Sequence, residues 1–176
     1  MDPITTERLI LRPFRNGDAP DLLAYLSQPR ANCFLSLKLD GLDAAAAEVD
    51  ARSRSDEHIA VCLRSSGRVI GDLFQMHEPP DTHSVGWNFN ADFAGAGYAT
   101  EAARAFFDHL FAARQARRLY AYVEETNTVS QRLCERLGMR KEGLFVEFIS
   151  FTMDGDGNPL YENTMQYALL RKEWRA

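Results

Sequence analysis

A short turn with two glycines, Gly95-Ala96-Gly97, has an evident chemical use. Before it, residues 84–90 alternate between apolar and polar side chains, which predicts a strand with one buried face. After it, residues 99–111 place apolar side chains three and four positions apart, which predicts an amphipathic helix. Glycines allow a tight turn, and the unpaired N–H groups at the start of a helix attract anions. The segment therefore predicts a phosphate-binding loop, with an ordinary strand-to-helix turn as the alternative.

A second strand and helix follow downstream. Residues 118–123 predict a strand, residues 124–127 a polar loop, and residues 129–137 a helix that ends at Gly138. A helix that connects two strands over this length makes them parallel, and we expect this strand to lie beside residues 84–90.

Two polar side chains stand where this second helix begins. Ser130 lies in its first turn, where a hydroxyl can act on a ligand or bond only to the backbone. Asn127 precedes the helix, where an asparagine is either an ordinary cap or a ligand contact.

Three motifs carry a family resemblance, in this order along the chain: Gly95-Ala96-Gly97-Tyr98-Ala99-Thr100-Glu101-Ala102, Asn127-Thr128-Val129-Ser130 and Cys134-Glu135-Arg136-Leu137-Gly138-Met139-Arg140-Lys141-Glu142-Gly143. With them the chain resembles the GCN5-related N-acetyltransferase (GNAT) superfamily, and within it the ribosomal-protein N-terminal acetyltransferases. Residues 6–14 and 167–170 also resemble that branch, so the resemblance covers nearly the whole chain.

The resemblance implies an α/β fold with a mixed, largely antiparallel sheet, a central parallel strand pair that splays apart, and flanking helices. Acetyl-CoA is then the co-substrate, with its pantetheine arm along strand 84–90 and its pyrophosphate on the amides of residues 95–99. The implied cofactor-binding residues are Asn88, Phe89, Asn90, Gly95, Ala96, Gly97, Tyr98, Ala99, Asn127 and Ser130.

The chain departs from the family pattern around the glycines. It has Asp92, Ala94 and Ala96 where relatives often carry an arginine, a glutamine or another basic residue. Neutralisation of the phosphate charge then depends on amides, on the helix dipole, or on a distant arginine such as Arg132 or Arg136.

The implied catalytic residues are Ser130, placed near the cofactor sulfur, and Glu147, in a strand after the last helix. The Ser130 hydroxyl could protonate the departing thiolate or donate a hydrogen bond to it. A base is needed because an ammonium must lose its proton before it attacks. Glu147 is the preferred base, and a water chain without a single base is a further possibility. The other candidate carboxylates are Glu78, Glu101, Glu124 and Glu125.

The remaining elements must position these residues in one sheet. Residues 8–14 predict a first strand, and a helix to Leu26 follows with Asp18 as its expected N-cap. Residues 27–41 are irregular, and residues 43–53 predict a second helix. Two hairpins complete the prediction, one of residues 59–63 with 69–77 and one of residues 144–153 with 162–170.

Composition sets further bounds. The 176 residues, 45% of them hydrophobic, fit one domain over residues 1–176. No apolar run or leader indicates membrane insertion or secretion, and three cysteines suit reduced thiols, so we expect a cytoplasmic protein with no membrane partner. A net charge of -5 argues against nucleic acid, and no residue spacing predicts a metal site. We expect a monomer or a homodimer.

These observations predict an acetyl-CoA-dependent N-acetyltransferase. The expected reaction is direct attack of a bound primary amine on the thioester, with no metal and no covalent enzyme intermediate. The acceptor is a peptide N-terminus or a small amine, a choice the residues leave open. The alternative is a non-catalytic acyl-CoA-binding sensor or regulatory module.

Overall fold

A mixed sheet of eight strands forms the centre of the molecule in the computed structural model, which describes residues 1–175. The strands are β1 (Ile4–Thr5), β2 (Leu9–Arg12), β3 (His58–Leu63), β4 (Val69–Glu78), β5 (Thr82–Phe89), β6 (Arg118–Glu124), β7 (Arg140–Met153) and β8 (Pro159–Leu170). The helices are α1 (Ala19–Leu26), α2 (Leu42–Ser53), α3 (Tyr98–Ala112) and α4 (Thr128–Arg136). Short 3-10 helices span Asn16–Asp18, Asn32–Leu37, Ala91–Phe93 and Arg171–Glu173.

The strand order is β1-β2-β3-β4-β5-β6-β8-β7. Of the seven neighbouring pairs, β5 and β6 run parallel and the other six run antiparallel. This arrangement confirms the predicted α/β class and the parallel central pair. Strand β8 inserts between β6 and β7, because the last hairpin folds back onto β6 through its second strand.

The two parallel strands separate after a short contact. They pair only from Thr82 to Ser84 on β5 and from Arg118 to Tyr120 on β6. Beyond that point β5 stays beside β4, and β6 stays beside β8. Each strand is held on its outer side and is free on its inner side, so a cleft opens between their C-terminal halves.

Helices cover both faces of the sheet. Ile59 and Val61 pack into a core with α3 and α4, whereas Ala60 and Cys62 pack into a separate core with α1 and α2. Since neighbouring residues of a strand point to opposite faces, the two helix pairs lie on opposite sides. The predicted apolar stripe of α3 is confirmed by its buried side chains, Ala102, Ala103, Phe106, Phe107, Leu110 and Phe111.

Three sequence-based expectations need correction. Asp18 makes no capping hydrogen bond to α1; its carboxylate instead pairs with both terminal nitrogens of Arg12, at 2.7 and 2.8 Å. A buried arginine on β2 competes for that carboxylate and holds it. The segment predicted as irregular contains the 3-10 helix of Asn32–Leu37, and β7 begins at Arg140 rather than at Leu144.

Within residues 1–175 no helix combines the length and the apolar character needed to cross a membrane.

Candidate active site at the splayed strands

Two cavities meet in the cleft between β5 and β6. The glycine-side cavity, of about 1120 Å³, lies against the glycine turn and the starts of α3 and α4. The inner cavity, of about 390 Å³, lies on the side of α2, β3 and β4. Six residues line both cavities and are here called the junction: Phe34, Trp87, Asn88, Glu124, Asn127 and Ser130. A molecule that spans both cavities must pass these six side chains.

The glycine turn presents free backbone donors to the glycine-side cavity. Gly95 and Gly97 have φ values of +81° and +82°, a left-handed conformation that favours glycine. The first backbone hydrogen bond of α3 runs from Glu101 N to Gly97 O. The N–H groups of Tyr98, Ala99 and Thr100 therefore have no acceptor within the helix, which suits an anion. This geometry fits the predicted phosphate-binding loop.

An ion pair fixes the far side of this turn. Arg8 bonds to Glu101 Oε2 through Nε at 2.7 Å and to the Ala96 carbonyl through Nη1 at 2.9 Å. Burial on its own raises the pKa of Glu101, but hydrogen bonds from Thr6 and Arg8 outweigh it and hold that pKa below its usual value. Glu101 is thus a charged anchor between β2 and α3.

Three arginines surround the glycine-side cavity: Arg30, Arg104 and Arg136. Arg136 Nε donates to Thr100 Oγ1 at 3.2 Å, which holds its guanidinium beside the first turn of α3. Of the two arginines suggested by the sequence, Arg136 lines the cavity and Arg132 does not. The cavity thus has cationic side chains despite the neutral residues at Ala94 and Ala96.

Ser130 and Asn127 are positioned together at the junction. Asn127 Oδ1 accepts a hydrogen bond from Ser130 N at 3.1 Å, so Asn127 does cap α4. The Trp87 indole donates to Ser130 Oγ at 3.2 Å. Because the hydroxyl oxygen accepts from Trp87, its proton is available to a group in the cleft.

Glu124 is the acidic residue of the junction. It ends β6, is only 8% exposed, and its Oε1 accepts a hydrogen bond from Cys33 N at 2.7 Å. That contact ties the segment before α2 to the cleft. Burial, with a further contribution from Glu124, raises the pKa of the Cys33 thiol to about 12, so this thiol is neutral at ordinary pH.

The other candidate carboxylates lie elsewhere or are engaged. Glu147 is exposed, has a φ of +48°, and lines neither cavity; its N–H donates to Asn163 Oδ1 at 2.8 Å. Glu125 is exposed and accepts from Asn163, while Glu78 accepts from Tyr120. The structure therefore brings Glu124, and not Glu147, together with Ser130.

The position of Glu147 has a local cause. The pairing of β7 with β8 shifts register between Phe145 and Ile149, so the strand bulges around this residue. A bulge interrupts the strict alternation of side chains, and the sequence alone does not show which face a bulged residue takes.

The inner cavity has aromatic walls and a charged end. Its walls include Phe34, Phe74 and Tyr122. The Phe74 ring covers Gly86, where a Cβ would lie 2.1 Å from Phe74 Cζ, so this close approach requires glycine.

The charged end of the inner cavity was missed by sequence reasoning. Arg52 Nη1 lies 3.0 Å from Asp72 Oδ2, and Arg52 Nε bonds to Glu48 Oε1 at 2.7 Å. The Tyr25 hydroxyl donates to Asp72 Oδ1 at 2.8 Å. The available signal was Asp72 itself, a carboxylate close to Ile70 and Leu73 in a predicted strand, because a charged group among apolar neighbours needs buried partners.

Comparison with known proteins decides the family. Residues 8–140 match the sequence profile described as "Acetyltransferase (GNAT) domain". The chain belongs to the GNAT acetyltransferase family. It is 30% identical over 174 residues to the uncharacterized N-acetyltransferase YnaD of Bacillus subtilis (strain 168), with 97% of this chain and 98% of the relative covered.

Solved GNAT structures share the fold over the whole chain. A GNAT acetyltransferase from Bacillus anthracis superposes with a TM-score of 0.85 at 27% identity, covering 97% of this chain and 99% of that one. The ribosomal-protein-S5-alanine acetyltransferase of Vibrio fischeri gives a TM-score of 0.74 at 17% identity, with both chains fully covered. The suspected family is thus confirmed, and the ribosomal-protein acetyltransferases share its fold.

GNAT enzymes use acetyl-CoA as co-substrate, and the residues present fit that molecule. Nine of the ten cofactor-binding residues expected from the sequence line the glycine-side cavity. Ala96 does not line it, because its carbonyl faces Arg8. Within residues 1–175 no group of three or more His, Cys, Asp or Glu side chains is placed to hold a metal ion.

Proposed function

We propose that this GNAT enzyme transfers the acetyl group of acetyl-CoA directly to a primary amine, and that α-amines are its preferred acceptors. The observation that carries the proposal is the junction, where Ser130 and Glu124 lie between a cavity suited to the cofactor and a cavity suited to an acceptor.

The glycine-side cavity would hold the cofactor. Beyond Ser84 the inner edge of β5 has no neighbouring strand, and the pantetheine arm can take the place of one there. The amides of residues 97–100 and the side chains of Arg104 and Arg136 would hold the phosphates.

The junction residues would carry the reaction. Acetyl-CoA supplies the acetyl group as a thioester; a C–N bond forms as the C–S bond breaks, and the sulfur leaves with the electron pair. The nitrogen loses two protons, one from the ammonium before attack and one after it; one of them ends on the thiolate and the other passes to solvent. Ser130 would donate a hydrogen bond from its hydroxyl to the leaving sulfur, one of the two roles expected from the sequence. Glu124 would hold the ammonium and accept its proton, the role first assigned to Glu147. Burial raises the pKa of the Cys134 thiol to about 12, which makes this thiol a weak nucleophile at pH 7.

The preference for α-amines follows from the free energy of deprotonation. At pH 7 a lysine ε-amine with a pKa near 10.4 costs about 4.6 kcal/mol to deprotonate, and an α-amine near 7.8 costs about 1.1 kcal/mol. The difference of about 3.5 kcal/mol favours α-amines by roughly 300-fold when the free amine is the reacting species.

The test compares two peptides. One has a free N-terminus and no lysine, and the other has a blocked N-terminus and one lysine; acetylation is followed by mass spectrometry at pH 7 and pH 9. We expect faster turnover of the first peptide, with the ratio falling to roughly 20-fold at pH 9 as more lysine becomes neutral. Faster turnover of the lysine peptide at pH 7 would contradict the proposed acceptor.

The same assay addresses the non-catalytic alternative. A binding module predicts acetyl-CoA binding without release of free CoA in the presence of any amine. Membership of an acetyltransferase family and the presence of Ser130 and Glu124 at the junction both favour the enzyme.

A further inference from the structure

The charged end of the inner cavity contains two buried nitrogens without hydrogen-bond partners among residues 1–175: Arg52 Nη1 and His58 Nδ1. Arg52 is 3% exposed and lines the inner cavity, as does His58. Nη1 contacts Asp72 as an ion pair without hydrogen-bonding geometry, and His58 Nδ1 lies 3.6 Å from the same carboxylate, beyond hydrogen-bonding distance. Buried donors and acceptors without partners are costly, so a group that satisfies both nitrogens would be bound here.

The charges around Arg52 restrict what that group can be. Asp72 and Glu48 place two negative charges beside the single positive charge of Arg52. A carboxylate or phosphate would meet those two acids and Glu124 at the junction, whereas an ammonium has only donors and cannot accept from Arg52 Nη1. The fitting group is therefore neutral.

A hydroxyl satisfies both nitrogens at once. It can accept a hydrogen bond from Arg52 Nη1 and donate one to His58 Nδ1 when that nitrogen carries no hydrogen. A carbonyl oxygen only accepts and leaves His58 without a partner in that tautomer, and an amide accepts and donates through two different atoms, whereas a hydroxyl does both through one. Between this end and the junction, the walls of Phe74 and Val85 suit a short carbon chain.

We propose that the inner cavity selects acceptors in which a primary amine and a neutral hydroxyl are joined by a short carbon chain, with Arg52 and His58 as the specificity-determining residues. This inference rests on the proposed function for the placement of the amine at Glu124. Two sources have this chemistry, a free amino alcohol and a peptide whose first residue carries a hydroxyl.

The experiment uses near-isosteric pairs from each source. Peptides that begin with threonine are compared with peptides that begin with valine, and 3-amino-1-propanol is compared with butylamine, with rates corrected for the fraction of free amine. For at least one pair we expect kcat/KM to favour the hydroxyl compound by roughly 10- to 100-fold, the range for a hydrogen bond to a charged group. The pair that shows the preference identifies the source.

Three variants locate the selectivity. Arg52→Lys keeps the charge beside Asp72 but removes the guanidinium, and His58→Phe keeps a ring against Phe74 but removes both nitrogens. Arg52→Lys and His58→Phe are each expected to remove most of the preference for the hydroxyl compounds and to leave acetyl-CoA binding unchanged. Arg12→Lys is the matched control, since Arg12 is also buried and pairs with an aspartate, Asp18, but lines neither cavity. If Arg52→Lys fails to fold, His58→Phe alone carries the test.

Binding of the same amines to the CoA-bound protein, measured by calorimetry, separates this inference from the proposed function. Selective binding of the hydroxyl compounds without any turnover would support the inference and refute the proposed function. Turnover with equal rates within both pairs would refute the inference and leave the proposed function standing. A stronger preference for peptides that begin with aspartate or asparagine than for those that begin with threonine would also overturn the inference. The inner cavity would then bind an anion or an amide.

Discussion

Ser130 is held by two hydrogen bonds, and neither uses its hydroxyl proton. Its N–H donates to Asn127, and its oxygen accepts from Trp87. We predict that Ser130→Ala lowers kcat by roughly 10- to 100-fold and changes the KM for acetyl-CoA little, because a hydrogen bond to sulfur strengthens as negative charge develops there. Steady-state kinetics with both substrates varied would measure the two effects separately.

Cys134 provides the control for this prediction on the same helix. Its thiol is buried one turn beyond Ser130 and is neutral. Cys134→Ala should cost about 1 kcal/mol of unfolding free energy, about the value of one buried methylene, and leave kcat within about twofold. An equal fall of kcat in both variants would indicate a general disturbance of α4, and unchanged kcat in Ser130→Ala would remove the role proposed for the hydroxyl.

At this scale the sequence located some residues and missed others. The glycine turn, Asn127 and Ser130 are short-range motifs whose chemistry depends on their neighbours in the chain, and they line the cleft as expected. The choice between Glu124 and Glu147 depends on a bulge in β7, and the pairing of Arg52 with Asp72 joins α2 to β4. Contacts between distant segments leave little trace in local sequence patterns.

At the scale of elements, the packing of β4 against β5 shapes the inner cavity. The Phe74 ring on β4 lies over Gly86 on β5, and it forms a wall of that cavity. A side chain at position 86 must displace this ring, and overpacking of this kind typically costs 1–3 kcal/mol.

We predict that Gly86→Ala raises the KM for the amine by roughly tenfold, a cost of about 1.4 kcal/mol, while the affinity for acetyl-CoA stays within about twofold. Kinetics and calorimetry measure the two quantities. Gly143→Ala is the matched control, since a Cβ there would meet only one Phe145 atom, at 4.0 Å, and the residue lies in β7 outside both cavities. Equal amine KM values in the two variants would show that the Phe74 wall does not limit acceptor binding.

Elements with a clear period were predictable, and so were the pairings between strands that follow each other in the chain, but the order of the remaining strands was not. Alternation predicted β5 and β6, and the apolar stripe predicted α3, each to within about two residues of the observed bounds. The insertion of β8 between β6 and β7, and the short pairing of β5 with β6, depend on hydrogen bonds between segments far apart in the chain. These features came from the family resemblance or from the structure, because periodicity carries no information about strand partners.

At the scale of the molecule, the splayed sheet is an arrangement that a ligand can complete. Strands β4 and β8 hold the outer sides of β5 and β6, and helices cover both faces of the sheet. The inner edges of β5 and β6 then carry backbone N–H and C=O groups that have no strand partner beyond Ser84 and Tyr120. Such groups require another partner, and a bound pantetheine arm can supply hydrogen bonds to β5.

The whole-molecule prediction is that acetyl-CoA stabilises the fold mainly along this cleft. At a concentration of 100 times Kd the ligand should add about 2.7 kcal/mol to the unfolding free energy, and raise Tm by roughly 5–10 °C for a chain of this size. Hydrogen exchange should slow for amides of residues 85–89 and 97–100, and change little in β3, which is paired along both edges. Protection that is spread evenly over the sheet, or confined to the β7–β8 hairpin, would mean that the cofactor does not lie between the splayed strands.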